Sequence, residues 1–402
     1  MGYLRRPSVA TLIASLLLAL GAGFFVAPPM ALATTGIGAP KLNVPAAALV
    51  TVDGTVLYAK NPDAPRRIAS TTKMLTALVV RDSISLDALI KVTPKAEAVD
   101  DGVVGLKAGQ KYTVRQLLGV MLVHSANGAA TALAGGIAGN EKKFVVMMNA
   151  KAASLGLTRT HPADPHGLSP KGVSSAADLS VIARALMADP VLREIVLERS
   201  ARLPRGAFST TNQMLYSYGG IEGIKTGYTD PAGYCFVGAA KRNGVELFGV
   251  VLGAETPSAR FTQMRKLLDW GFAHSKEQRL VSRDQTMGVV AIANGAEPTV
   301  TVHPAKPLDF TVFDGAAQTT QISLPPSVNA PIRAGQRLGM IEVSRDGTIV
   351  ASVPLVADAS VGALSATQIS QGLVPDVRRG GDQNLWKQIA LVMSGFGHLL
   401  GI

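Results

Sequence analysis

The 402-residue sequence holds a single cysteine, Cys235, so no disulfide can form within the chain, even in an oxidising compartment where one would persist. Within Tyr234-Cys235-Phe236-Val237 it reads as a buried strand residue. Histidine is scarce as well. His124, His161, His166, His274, His303 and His398 fall at no metal-ligand spacing, so no metal and no other cofactor is expected. Aromatic residues make up 5% of the chain. They do not interleave with basic residues; a formal net charge of +11 is compatible with nucleic acid, but no nucleic-acid partner is expected, given an export signal in residues 1–33 and the anionic surroundings that an exported protein meets. The N-terminal apolar stretch from Leu12 to Val26 is about fifteen residues, short for a membrane span.

Three short motifs do stand out, in one order: Ser70-Thr71-Thr72-Lys73, then Ser125-Ala126-Asn127, then Lys225-Thr226-Gly227. A serine hydroxyl is a weak nucleophile at neutral pH and needs a base to take its proton as it attacks a carbonyl. Three residues apart on a helix, Ser70 and Lys73 share one face. The apolar run Met74 to Val80 predicts a buried helix with Ser70 at or near its first turn, where the helix dipole favours an oxyanion. Ser125 and Asn127 are expected side by side in a turn between helices. Lys225 and Thr226, at the end of an expected strand Gly220 to Ile224, offer donors to a carboxylate, and Gly227 admits a ligand backbone. Each motif alone also fits capping or turn chemistry; the three in this order point to serine acyl transfer.

With these motifs, the chain resembles the low-molecular-weight penicillin-binding proteins, serine-type D-alanyl-D-alanine carboxypeptidases. Asn149-Ala150-Lys151-Ala152, Leu155-Gly156-Leu157, His166-Gly167-Leu168, Gly223 to Thr229, Ala232 to Cys235, Ala259-Arg260-Phe261 and Lys266 to Phe272 extend the likeness over nearly all of residues 40–274. The resemblance implies an α/β (α+β) fold of the serine β-lactamase/transpeptidase kind, an antiparallel sheet covered by helices. It also implies roles. Ser70 would attack the bond between two terminal D-alanines, Lys73 would take its proton, and Ser125 would relay a proton to the leaving amine. Asn127 would hold the substrate amide, the amides of Ser70 and Tyr228 would form the oxyanion hole, and Lys225, Thr226, Gly227 and Arg260 would bind the terminal carboxylate side of the substrate. One departure touches the site: Gly128 follows Asn127 where such chains often carry aspartate, which predicts a less rigid loop.

The implied substrate is the peptidoglycan stem peptide, with β-lactam antibiotics as acylating inhibitors. A β-lactamase of the class A kind needs a glutamate in a Glu-x-x-Leu-Asn context. Between Ser125 and Lys225 only Glu141, Glu194, Glu198 and Glu222 occur, none in that context, so slow release of penicillin is expected. A D,D-endopeptidase cutting cross-links uses the same residues and stays open as an alternative. A non-catalytic wall-binding protein would need a broken motif, and all three are intact.

Residues 1–33 read as a signal peptide: Arg5 and Arg6, the apolar stretch, then Ala31-Leu32-Ala33 with cleavage after Ala33. Losing Arg5 and Arg6 lowers the net charge from +11 to +9. Residues 34–274, the expected catalytic domain, carry 27 Lys and Arg against 18 Asp and Glu, while residues 275–402 carry ten of each. An exported protein with this basic excess, in the periplasm or on the outer face of the cytoplasmic membrane, meets carboxylate-bearing wall and anionic lipid.

Residues 277–365 change to short alternating runs, Thr299 to Val302 and Asp309 to Phe313 among them, with a hairpin about Asp346-Gly347. They predict a small all-β domain without chemistry of its own. Hairpins are also expected about Asp53-Gly54 and Asn243-Gly244, and helices over Lys143 to Leu155, Asp178 to Met187 and Ser258 to His274. In 366–402 a linker precedes an amphipathic segment in which Leu385, Ile389, Val392, Met393, Phe396, Leu399 and Leu400 recur at helical spacing beside Trp386 and Lys387. Such a segment is suited to lying in a membrane surface.

Overall fold

The structure, a computed structural model, describes residues 38–365 and residue 367, apart from residues 101, 315–317 and 346. Residues 1–33 and 382–402, which carry the export-signal and membrane-surface expectations, lie outside the described residues.

Strands β1 (Ala46–Thr51) and β2 (Val56–Lys60) form the hairpin expected at Asp53-Gly54. A 3-10 turn, Ala69–Thr72, then runs directly into α1 (Lys73–Ser83). Next come β3 (Leu89–Lys91), α2 (Pro94–Asp100), β4 (Lys111–Thr113), α3 (Val114–Val123), α4 (Asn127–Ala138), α5 (Glu141–Ser154), α6 (Ala176–Ala188) and α7 (Pro190–Leu197). The short hairpin β5 (Ser200–Leu203) and β6 (Gly206–Ser209) and the helical turn α8 (Met214–Ser217) lead to three long strands, β7 (Ile221–Thr229), β8 (Gly233–Arg242) and β9 (Val245–Ala254), and then α9 (Pro257–Ala273).

The five-stranded sheet has the order β2-β1-β9-β8-β7 and is antiparallel throughout. Helices cover both faces. On one, Ala46, Ala48 and Val50 of β1 join a core with Met74, Leu117, Leu133, Leu179 and Ile195 from the large helical layer. On the other, Ala47 and Leu49 pack with Met264, Leu267, Leu268 and Trp270 of α9. That is why β1 reads as an unbroken apolar run rather than an alternating one. The helix starts follow local chemistry. Thr113 and Gln116 form a reciprocal capping box on α3, and Ser175 and Thr256 cap α6 and α9.

Beyond α9 the described chain is all-β: β10 (Ser275–Val281), β11 (Gly288–Ala293), β12 (Thr299–Pro304), β13 (Leu308–Phe313), β14 (Gln318–Ser323), β15 (Ser327–Asn329), β16 (Arg337–Arg345) and β17 (Thr348–Ala357). Six of these form a sheet ordered β14-β16-β17-β12-β11-β15, in which only the β11–β15 pair is parallel, while β10 pairs with β13. Val290, Val302, Ile341, Val343, Val353 and Leu355 supply a separate core. The β16–β17 hairpin is the one the sequence suggested.

Two expectations are corrected. The third motif does not end a strand at Ile224; Lys225, Thr226 and Gly227 lie inside β7, which continues to Thr229 and pairs with β8. Nor is Gly128 in a loop. It belongs to the first turn of α4, where α2 presses so close that a Cβ would lie 2.6 Å from the Ala96 carbonyl oxygen.

Candidate active site

Ala69 has a left-handed backbone, φ +47°, an unfavourable state for a residue with a side chain that marks many functional turns. It sets Ser70 on the 3-10 turn and Lys73 at the start of α1. Lys73 Nζ lies 2.7 Å from Ser70 Oγ, 2.7 Å from Asn127 Oδ1 and 2.8 Å from the carbonyl oxygen of His166. The amine is fully buried. Burial first, and the positive charge of Lys225 second, push its pKa well below the usual lysine range, with Asp164 pulling the other way. A neutral amine suits this cage. It can donate two N–H bonds to Asn127 and His166 and turn its lone pair to the Ser70 hydroxyl.

The carbonyl of His166 is held by its own loop. Asp164 Oδ1 accepts from the amide of His166 at 2.9 Å, and the amides of Gly167 and Ser169 also donate to the Asp164 carboxylate. Thr76 Oγ1 of α1 donates to Pro165 O at 2.7 Å. The His166 ring lies between Asp164 Oδ1 at 3.2 Å and Glu141 Oε1 at 3.7 Å. Glu141 in turn accepts from Thr131 Oγ1 of α4 at 2.8 Å and pairs with Lys95 of α2. These contacts tie the loop to α1 and α5 and, through Glu141, to α2 and α4.

Strand β7 closes the opposite side. Lys225 is 1% exposed, and burial together with the nearby Arg260 brings its pKa down to about 7. Its Nζ donates to the Thr226 carbonyl oxygen at 3.0 Å. The Thr226 and Thr211 hydroxyls lie 2.6 Å apart. Gly227 is required by close approach: a Cβ there would stand 2.9 Å from Ile68 O and 3.1 Å from both the Ser70 and Thr71 amide nitrogens. The strand backbone therefore runs against the amides of the Ser70 turn, the arrangement needed for paired N–H donors facing one oxygen. Tyr228 is 46% exposed and stacks on Tyr234 at 4.2 Å between ring centroids. A hydrogen bond to Asp230 is the first cause that raises its phenol to about 12.

Arg260, on the first turn of α9, is not a freely solvated arginine. Its guanidinium carbon lies 5.5 Å from the Tyr234 ring centroid and 4.7 Å from that of Phe261, and Nη1 donates to Gly227 O at 3.4 Å. Ser125 occupies the bend between α3 and α4 with φ +69°, two residues before Asn127 enters the Lys73 cage. All the residues singled out by sequence thus gather along the 3-10 turn, the α3–α4 bend, β7 and α9. Several that matter for the geometry were not singled out: the His166 carbonyl, Asp164, Glu141, Thr211 and the close approach of Gly167. Of these, His166 and Gly167 had a local signal, their place in His166-Gly167-Leu168.

Family comparisons agree with this geometry. Residues 34–256 match the model described as D-alanyl-D-alanine carboxypeptidase, and residues 276–363 match that of the penicillin-binding protein 5 C-terminal domain. Among curated relatives, D-alanyl-D-alanine carboxypeptidase DacC of Escherichia coli is 31% identical over 86% of this chain and 92% of its own length. DacF of Bacillus subtilis is 30% identical over 76% and 82%. Among solved structures, penicillin binding protein 5 from Haemophilus influenzae is 28% identical, covers 81% of this chain and 100% of its own, and has a TM-score of 0.66. The PBP3 structure from Streptococcus pneumoniae is 27% identical, covers 80% and 100%, and reaches 0.72. With that match spanning more than half its length, over a buried lysine against a serine on a helix-opening turn, the chain belongs to the serine D-alanyl-D-alanine carboxypeptidase family.

Proposed function

We propose that Ser70 is the nucleophile and Lys73 the general base of a carboxypeptidase that removes the terminal D-alanine from peptidoglycan stem peptides. The observation that carries this reading is the 2.7 Å contact between Ser70 Oγ and a fully buried Lys73 Nζ. Ser70 Oγ bonds to the carbonyl carbon of the penultimate residue as its proton passes to Lys73. The amides of Ser70 and Tyr228 stabilise the oxyanion; removing one such donor commonly costs about 10² to 10³ in rate. Collapse breaks the C–N bond, Ser125 delivers a proton to the leaving amine, and D-alanine departs. Water then attacks the acyl-serine, returning the proton to Ser70 and releasing the shortened peptide. Asn127 orients Lys73 and the substrate amide. Lys225, Thr226, Gly227 and Arg260 receive the terminal carboxylate, for which two cations beside one strand are suited. Penicillins enter the same site as acyl donors, and the absence of the class A glutamate context leaves their acyl-enzyme long-lived.

The domain limits proposed are 34–274 for the catalytic domain and 277–365 for the β domain, after a signal peptide of residues 1–33. The protein is then exported to the periplasm or the outer face of the cytoplasmic membrane. Residues 366–402 hold it there as linker and amphipathic anchor, a reading supported by the helical spacing of Leu385 to Leu400. Among the described residues no helix is long and apolar enough to cross a membrane. Removing residues 382–402 is expected to free the protein from membranes with its soluble activity intact; continued membrane association would overturn the anchor.

The deciding experiment for the chemistry is release of free D-alanine from a synthetic peptide ending in D-Ala-D-Ala, comparing mature protein with Ser70→Ala. Release that vanishes in the variant supports the assignment. Release that persists overturns Ser70 as nucleophile, and none from the folded wild type moves the reading to cross-link cleavage.

A further inference from the structure

Asp100 closes α2 and is fully buried. Its Oδ2 accepts from the amides of Val104 at 3.2 Å and Leu106 at 3.1 Å, drawing residues 102–106 back onto the end of the helix. The same residue lies against the first turn of α4. A Cβ on Gly128 would stand 2.5 Å from Asp100 Cβ and 2.9 Å from Asp100 Cα. Gly128 directly follows Asn127, whose Oδ1 is 2.7 Å from Lys73 Nζ. One acidic side chain thus touches an irregular segment on one side and, on the other, the turn that aims Asn127 at the base. The volume of a Cβ at 128 is taken by Asp100 Cβ and Cα, while the Asp100 carboxylate is turned to the amides of Val104 and Leu106.

We propose that Asp100 is a positioning residue for this serine site: supplied from α2 in place of a side chain at 128, it fixes Asn127 against Lys73 and holds residues 102–106 beside them. Packing alone would not select aspartate here. An aliphatic residue fills such a volume without desolvating a carboxylate, but it cannot accept from two amides of an irregular segment. The inference rests on the reading of Ser70 and Lys73 as nucleophile and base.

The test measures acylation by a fluorescent penicillin as a function of pH, on the mature full-length protein, for wild type, Asp100→Ala, Asp100→Asn and Gly128→Ala, each also melted thermally. Displacing a positioned group by about 1 Å can cost roughly a hundredfold. Asp100→Ala keeps the Cβ against Gly128 but no oxygen for the amides of Val104 and Leu106, and is therefore expected to slow acylation at least about tenfold, whereas Asp100→Asn, which keeps such an oxygen, stays within about threefold. A rate loss shared by general loosening is separated by the pH profile. Lys73 faces Lys225 from β7 and Asp164 from the loop between α5 and α6. Losing Asn127 as an acceptor removes a contact that favours the ammonium, so the acid limb moves to lower pH in Asp100→Ala. Gly128→Ala pushes on the same contact and is expected to move rate and limb in the same direction. Because they act on one contact, the two changes combined should cost less than the product of their separate effects. A folded Asp100→Ala with wild-type rate and limb overturns the proposal. If that variant does not fold, Gly128→Ala decides, and wild-type behaviour there overturns it equally. Ser70→Ala runs alongside: acylation that persists in it defeats the nucleophile assignment instead, a result distinct from any outcome at Asp100.

Discussion

Gly167 and Ser70 are in backbone contact: with φ +87°, Gly167 sits so that a Cβ would stand 2.0 Å from the Ala69 carbonyl oxygen and 3.0 Å from the Ser70 amide nitrogen. The loop that offers the His166 carbonyl to Lys73 is therefore also the wall behind the Ser70 turn. Neither neighbour is a flexible side chain that can swing aside.

Gly167→Ala follows directly. The left-handed φ costs an alanine about 1 kcal/mol or more, and the backbone clash must be relieved by moving either the loop or Ser70. Penicillin acylation is expected to fall by roughly a hundredfold or more, with a lower melting temperature. A variant that is acylated at the wild-type rate would show that the two backbones separate without consequence for Ser70.

The two lysines give opposite limbs of the pH profile. In the proposed role Lys73 acts as a base only when neutral, and burial, with the charge of Lys225, lowers its pKa and so favours that form. In the proposed role Lys225 holds a substrate carboxylate only when charged, and burial and Arg260 bring its pKa to about 7. Above pH 7 the KM for a peptide ending in D-Ala-D-Ala should rise while kcat changes little. Stability has its own sign. A lysine whose folded pKa is depressed binds fewer protons folded than unfolded between about 7 and its ordinary value, so stability rises with pH across that window. Lys225→Met is expected to abolish carboxylate-dependent binding and to flatten the rise in melting temperature between pH 7 and about 10. A slope as steep as wild type in Lys225→Met would assign the rise to other groups.

Arg260 lowers the pKa of Lys225 by its charge. Arg260→Ala should raise KM by about tenfold or more, as loss of a charge-assisted contact does, and should move the alkaline limb of KM upward as Lys225 regains basicity. Titrating KM between pH 6 and 9 checks both. A limb that stays in place would mean that the guanidinium is too well screened by solvent to be felt at Lys225.

Much of this architecture was legible because it is local. Asp53-Gly54 and Asn243-Gly244 announced their hairpins, the alternating runs after residue 275 announced an all-β domain, and the helices over α5 and α6 were placed within about two residues. The three motifs were legible as residue types at fixed spacing. What escaped is what only tertiary contact creates. No spacing reveals that a main-chain carbonyl, His166 O, is the third member of the Lys73 cage, or that Asp100 lies across Gly128. The strand boundary at Ile224 was missed because Lys225 and Thr226 are polar, and a polar pair reads as a strand end. Here both are buried, at 1% and 4% exposure, inside a strand that pairs with β8.

Glu141 shows how far the support of the site extends. His166, then Lys95 and Thr131, hold its carboxyl down to about 2 against the opposing effect of burial. At 3.7 Å the His166 contact is electrostatic attraction rather than a formed hydrogen bond, so the nearer Thr131 and Lys95 contacts fix the carboxylate in place. A carboxyl with a depressed folded pKa contributes stability that is complete above its unfolded value, about 4.5, and is lost as pH falls toward 2. Glu141→Gln keeps an acceptor for Thr131 but not the charge. Its melting temperature should be lower than wild type at pH 7 and converge with it as pH falls from about 4.5 to 2, because only wild type has that contribution to lose. Since the same carboxylate steadies the loop bearing His166 O, acylation by penicillin at pH 7 should slow by several-fold, in keeping with a contact one residue removed from the Lys73 cage. Parallel melting curves, with a constant gap between the two proteins across that acid window, would mean that the charge on Glu141 is not what ties α2, α4 and the loop together.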